Sequence, residues 1–260
     1  MKARPLLFSG AMVRALLDGT KTQTRRAVKP QPPSECGIHY MLGNESWLQP
    51  ELRTPLRHTW EAWGGTLYHD RPSGYMCGIH DAVCPYGAPG DLLWVKETWQ
   101  AQEAFDGMSP TEIGKAFADE HGAPWCPIRY LAEGTCEGSV DQWHESPVGK
   151  TRVSIHMPRW ASRLTLPITD IRVERLSSIS DKDALAEGIV TIAPPSRDGM
   201  RHFGVPGMSI DAPTPARAYR ALWAAINGQA SADADPWVWA VSFQVLRRNV
   251  EAVLGDRSGS

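Results

Sequence analysis

The sequence predicts an α+β fold that is mostly β: a small, largely antiparallel barrel carrying short helices and long loop insertions. Three observations lead there. First, 21 Pro and 23 Gly in 260 residues punctuate the chain into short elements. Second, the cleanest patterns are strand patterns, above all the alternation Leu164, Leu166, Ile168, Ile171 and Val173, and the apolar run from Trp237 to Phe243. Third, helical segments are few and irregularly spaced, which excludes the regular strand–helix alternation of a doubly wound sheet. An apolar fraction of 42% is enough for a core and excludes global disorder. No apolar run approaches the roughly 20 residues of a membrane span. The amino-terminal apolar run Pro5-Leu6-Leu7-Phe8 is too short for a secretory leader. Five scattered Cys, an odd number, argue for a reduced, cytoplasmic setting. A net charge of -2 argues against non-specific coating of nucleic acid, but leaves room for a local basic site.

Leu6-Leu7-Phe8 reads as a short strand. Ser9 is a helix N-cap, Met12, Val13, Leu16 and Leu17 share one helical face, and Gly19 is a stop. Thr20 to Arg26 alternates with strong β tendency. Residues 34–88 read as an irregular insert. Leu92 to Trp99 is a strand after the Gly90-Asp91 turn. A short helix is expected near Thr111–Asp119 within a second insert, 100–126, and Ile128 to Leu131 is a strand. The long alternation from Arg163 slips at Thr169-Asp170, as a bulged strand would. Ser180-Asp181-Lys182-Asp183 starts a short helix that Gly188 closes. Residues 191–213 are a third insert. Thr214-Pro215 opens a helix that runs to Gly228. The whole reads as one domain over 1–250, followed by an unstructured, flexible tail over 251–260. Eleven Trp are either core or flat platforms for bases, sugars or a partner.

Gly19-Thr20-Lys21-Thr22-Gln23-Thr24-Arg25-Arg26 is the most informative segment. Gly19 lets the chain turn sharply from helix to strand. Strand alternation puts Thr22, Thr24 and Arg26 on one face and Gln23 and Arg25 on the other, with Lys21 beside the turn. A partly desolvated Lys can act as a base, and Thr supplies a hydroxyl nucleophile. The alternative is a solvated basic strand edge.

Gly19-x-Lys21-x-x-x-x-Arg26 resembles the signature of the ASCH domain family, whose fold is a PUA-like β-barrel. Gly90-Asp91-Leu92-Leu93-Trp94-Val95 resembles the Gly-Asp strand of that family, Asp183 to Ile189 its later Glu-containing helix, and Trp237 to Phe243 its last strand. Cys84 to Gly87, Ser154 to Arg163 and Leu222 to Gly228 resemble its phage and prophage branch. The resemblance covers about half of the chain and leaves out 34–83, 100–126 and 191–213. It implies a nucleoside- or nucleic-acid-directed protein. Small bacterial ASCH proteins include amidohydrolases that remove the acetyl group of N4-acetylcytidine with a Lys, a Thr three residues on and a Glu. By motif these are Lys21, Thr24 and Glu187 here. The resemblance equally implies a non-catalytic module that binds RNA or a modified base. A phage assembly or host-interaction factor is a third reading, which would place the protein in a bacterial host cytoplasm.

Other residues are candidates for binding. Arg26 is suited to an anion or a base edge, or to a structural carboxylate partner. Glu97 and Trp99 end a strand near the expected barrel mouth, with Glu97 either functional or a partner of Arg26 or Lys21. His156, Arg159 and Trp160 offer phosphate contacts and a stacking ring, or alternatively a packed turn. Lys21, Arg25, Arg26, Lys29, Arg159 and Arg163 either converge into a positive cleft or scatter over the surface. Cys77-x-x-His80-x-x-x-Cys84, with Cys36 and His39, has zinc-compatible donors, but not a paired Cys-x-x-Cys arrangement; no metal is assigned. No Walker loop, dinucleotide fingerprint, serine elbow or HExxH is present, so no cofactor is expected.

Overall fold

The fold is that of a computed structural model. It describes residues 1–29, 31, 36–37, 65–70, 76–82, 84–121, 126–133, 135–137, 147–193 and 201–258. In chain order the elements begin with β1 (Ala3–Leu7), α1 (Gly10–Leu17), β2 (Gln23–Ala27), β3 (Cys36–Gly37), β4 (Gly65–Asp70), β5 (Met76–Ala82) and β6 (Leu92–Lys96). They continue with β7 (Trp99–Gln100), α2 (Pro110–His121), β8 (Ile128–Tyr130), β9 (Thr135–Glu137), β10 (Thr165–Arg175) and α3 (Asp181–Ala186). Last come β11 (Val190–Ala193), β12 (His202–Gly204), α4 (Pro215–Asn227), α5 (Gln229–Asp233), β13 (Trp237–Phe243) and α6 (Val250–Ser258).

The fold is mixed α+β, with sheet predominating among the described residues. Its centre is a five-stranded sheet in the order β1-β6-β10-β13-β2, antiparallel except for the β1–β6 pair. The eleven residues of β10 hold it together. The first part of β10 pairs with β6 and the remainder with β13, and the register shifts between Ile168 and Asp170, where the sequence pattern slips. A bulge there bends and twists the strand, so the sheet changes direction at one place. Among the described residues no ladder joins the outer strands β1 and β2, so backbone pairing does not close a barrel. A side chain spans that seam instead: Arg26 Nη2 donates to the Leu7 carbonyl at 2.6 Å.

Side-chain alternation on β6 explains how both faces are covered. Leu93 and Val95 enter the main core with α1, β10 and β13, while Leu92 and Trp94 meet Val250 and Val253. The carboxy-terminal segment is therefore helical through Ser258, not an unstructured tail, because its two buried valines cap the second face of β6. Two other expectations need correction. Residues 34–88 contain the three-stranded sheet β3-β4-β5. Residues 191–213 contain the β11–β12 hairpin. Within residues 100–126 the expected helix forms as Pro110–His121, and its Ile113 packs with Trp99, Ile128, Tyr130 and Met157 in a separate small core. Among the described Trp, residues 94, 99, 223, 237 and 239 are buried, so they are core and not platforms.

Two of the three helix starts are capped as read, while Ser9 stands at the N-cap position of α1 without a side-chain capping bond. Ser180 Oγ accepts from the Asp183 N–H at the start of α3, and Thr214 Oγ1 accepts from the Arg217 N–H at the start of α4, with Pro215 at its first position. Gly188, at φ +93°, ends α3 and turns the chain beneath α1; a Cβ there would lie 3.1 Å from the Ala15 methyl. Both the left-handed backbone and the close approach require glycine. Gly188→Ala should therefore cost about 1–3 kcal/mol of stability. Urea unfolding measures it, and a cost below a few tenths would contradict this account.

Candidate active site

Lys21 is fixed by two helix ends. After α1 the chain turns at Gly19, which has φ +74°. The Lys21 N–H then donates to Ala15 O at 3.0 Å, and the Thr22 N–H donates to Ala186 O at 2.8 Å. Lys21 and Glu187 face each other across an isolated antiparallel bridge. That short stretch sews the end of α1 to the end of α3 and forces two side chains 166 positions apart to meet.

Lys21 Nζ donates to Glu187 Oε2 at 2.7 Å and to the Glu187 carbonyl at 2.8 Å. Both side chains are only 2% exposed. The ammonium also lies 5.9 Å from the centre of the Phe8 ring. Burial pushes Lys21 below the ordinary lysine range. The charge and hydrogen bond of Glu187 pull the other way without restoring it, while Arg26 and Arg25 add to the depression.

The other carboxylate oxygen of Glu187 is taken by Arg25, whose Nη1 lies 3.2 Å from Oε1. Arg25 is wholly buried. Its Nη1 also donates to Gln23 Oε1 at 2.6 Å, and its Nε and Nη2 donate to Glu174 Oε1 at 2.9 and 2.5 Å. Asp183 Oδ2 stands 3.6 Å from Nη2, and the guanidinium lies 5.7 Å from the Tyr219 ring centre. Burial and the Glu187 charge hold the Tyr219 phenol well above its usual range. Sequence alternation does place Gln23 and Arg25 on one face, but it gives no sign of their partners on β10, α3 and α4.

Thr24 is on the alternate face of β2, paired in register with Val241 and buried. No hydrogen bond joins its hydroxyl to Lys21 or Glu187 among the described residues. Arg26 shares the face of Thr24 and lies 5.3 Å from the Phe8 ring centre. Phe8 is thus the ring between Arg26 and Lys21.

The remaining candidates are engaged elsewhere. Glu97 is held by Arg163 through two hydrogen bonds, at 2.9 and 3.0 Å, and so is the partner of neither Arg26 nor Lys21 by ion pairing. Trp99 is fully buried in the small core, edge-on to Trp160 with ring centres 6.3 Å apart. Arg159 pairs with Glu251 at 2.7 Å. Asn249 Nδ2 donates to the carbonyls of Arg159, Trp160 and Ser162, pinning that turn to the segment before α6. His156 is exposed beside it. Hence Trp99, Arg159 and Trp160 belong to a packed turn and its small core, with His156 exposed at the edge. Among the basic residues, Lys21 and Arg25 meet at Glu187, Arg163 pairs with Glu97 and Arg159 with Glu251.

The side chains of Cys36, Cys77 and His80, and all of His39, lie outside the described residues. Cys84 is buried, and burial pushes its thiol up to about 11. No cluster of three or more metal-ligating side chains occurs among the described residues. No helix among them is long and apolar enough to cross a membrane. Comparison with family models, curated proteins and solved structures gives no match.

Breaking this cluster should be costly. Glu187→Gln removes the anion that two buried cations share, and should lower stability by about 3–5 kcal/mol. A loss under about 1 kcal/mol in urea unfolding would contradict that. The Lys21 pair should also give stability a pH dependence. Between its depressed folded value and about 10.4 in the unfolded chain, the unfolded state binds more protons. Over that alkaline window the burial penalty of Lys21 is relieved as pH rises. The stability of the wild type relative to Lys21→Met should therefore increase with pH through that window, up to about pH 10. A flat difference across parallel urea titrations would refute it.

Proposed function

We propose that the protein is a nucleoside-directed amidohydrolase of the ASCH type, that its five-stranded sheet is the wall of a PUA-like barrel, and that it removes an acyl group from N4-acylated cytidine. One observation carries the reading. A fully buried lysine, depressed below its ordinary range, is held 2.7 Å from a buried carboxylate, and a threonine follows it by three residues. Depressed lysines in desolvated settings are suited to proton transfer at neutral pH.

The chemistry follows from those groups. Thr24 Oγ forms a bond to the acyl carbonyl carbon, and its proton passes to a neutral Lys21 amine. The acyl C–N bond then breaks, and the Lys21 ammonium returns that proton to the N4 amine of the departing cytidine. Water cleaves the Thr24 ester and releases the carboxylic acid. Glu187 orients Lys21 through Oε2 throughout.

A second reading, base recognition without turnover, is favoured by a separate observation. Lys21 and Glu187 are each only 2% exposed, and the Thr24 hydroxyl is bonded to neither. In that reading the more accessible Arg26, with Phe8 beneath it and Tyr86 near enough to feel its charge, receives the base.

Incubation with N4-acetylcytidine and mass spectrometry of the products separates the two. The hydrolase releases acetate and cytidine, and Thr24→Ala and Lys21→Ala each abolish release, by at least about a hundredfold. Full activity in both variants excludes the mechanism. Binding without products, weakened by salt and about tenfold by Arg26→Ala, selects the second reading.

A further inference from the structure

Arg25 does not belong to the motif that suggests Lys21, Thr24 and Glu187, yet it is the most completely engaged side chain around them. Its three nitrogens reach Gln23, Glu174 and Glu187, and it lies across the Tyr219 ring. The two oxygens of Glu187 are divided between two cations: Oε2 to Lys21 and Oε1 to Arg25. That division has a chemical consequence. A lysine that exchanges a proton spends part of its time neutral. Were Lys21 the sole partner of Glu187, each deprotonation would strand a carboxylate that is 2% exposed, and the carboxylate would hold the proton in place. Arginine keeps its charge at every working pH, so Glu187 retains a cation whichever state Lys21 is in.

We infer that Arg25 is a positioning residue of this site, balancing and orienting Glu187 so that Lys21 can release and recover a proton inside a dry cluster. The inference rests on the hydrolase reading above for its purpose, but its physical content does not need a substrate. The charged and titratable groups facing Lys21 are Glu187 at the end of α3 and Arg25 and Arg26 on β2. Phe8, which follows β1, contributes only its ring. Glu174 on β10, Asp183 on α3 and Tyr219 on α4 act one step away, around Arg25 and Glu187.

The test reads Lys21 directly. Protein carrying 13C-labelled lysine is titrated by NMR without substrate, with Lys21 assigned through Lys21→Arg. Arg25→Met removes the balancing cation, so the Lys21 proton affinity should rise about tenfold and its midpoint move to higher pH. Glu174→Gln frees the Arg25 charge toward Glu187, so the midpoint should move to lower pH. Opposite shifts are not what general loosening of the cluster would give. Arg25→Lys should restore most of the wild-type midpoint. A midpoint unmoved in both folded variants, or moved the same way in both, overturns the inference. If Arg25→Met does not fold, Glu174→Gln alone decides it by the sign of its shift. Acetate release is assayed on the same samples. Opposed shifts with no acetate from the wild type leave the role of Arg25 standing and remove the hydrolase. Acetate release with unmoved midpoints does the reverse.

Discussion

The structure is organised around one buried carboxylate. Glu187 is enclosed with Lys21 on one oxygen and Arg25 on the other, and neither cation reaches it from nearby in the chain. A buried charge is tolerated only when paired, so three segments must arrive together: the turn after α1, the strand β2 and the end of α3. Glu174 on β10 and Tyr219 on α4 complete the shell around Arg25. Such a cluster adds little net stability over an apolar equivalent. Its effect is on register, because a slip of one residue in β2 would turn Gln23 and Arg25 away and bring Thr24 and Arg26 to the cluster in their place.

Much of the frame around that carboxylate is legible in the sequence, because local rules decide it. Ser180, Thr214 and Pro215 mark helix starts by satisfying or lacking backbone donors, and Gly19, Gly188 and Gly228 mark ends through left-handed backbone. The break in the β10 alternation is visible as two polar residues where one belongs. What local pattern could not reveal is pairing across the chain. Arg25 reads as a basic strand residue because its acceptors lie 149 and 162 positions away. The helix Val250–Ser258 has too few apolar residues to announce itself, and packs on Leu92 and Trp94. The β11–β12 hairpin and the sheet β3-β4-β5 are short ladders whose side-chain pattern is too brief to separate from loop.

The motif residues divide by the same criterion. Lys21 and Glu187 were inferred by resemblance and do meet. His156, Arg159 and Trp160 share one turn and their types suit a nucleotide, but Arg159 pairs with Glu251 and Trp160 packs on Trp99, and of the three only His156 is left exposed. Side-chain type in a short stretch says what chemistry is available. Whether the chemistry is free depends on acceptors supplied by distant chain, which a linear reading does not rank. Glu97 is the same case, its two oxygens filled by Arg163.

The cluster also shows how a fold can let a buried lysine change charge. Lys21, Arg25 and Arg172 stand with Glu187, Glu174, Asp183 and, at the outer edge, Asp170 in one connected set. When Lys21 is neutral the set carries one more negative charge than when it is protonated. Were that charge confined to Glu187, it would sit in a nearly dry environment. Arg25 links Glu187 to Glu174 and Asp183, whose side chains are 18% and 21% exposed, so the set runs from a sealed position out to groups that water reaches. Water at those outer carboxylates raises the effective dielectric along that edge of the set, which lowers the cost of a change in its net charge. The buried pair and its half-hydrated surroundings therefore act as one electrostatic unit.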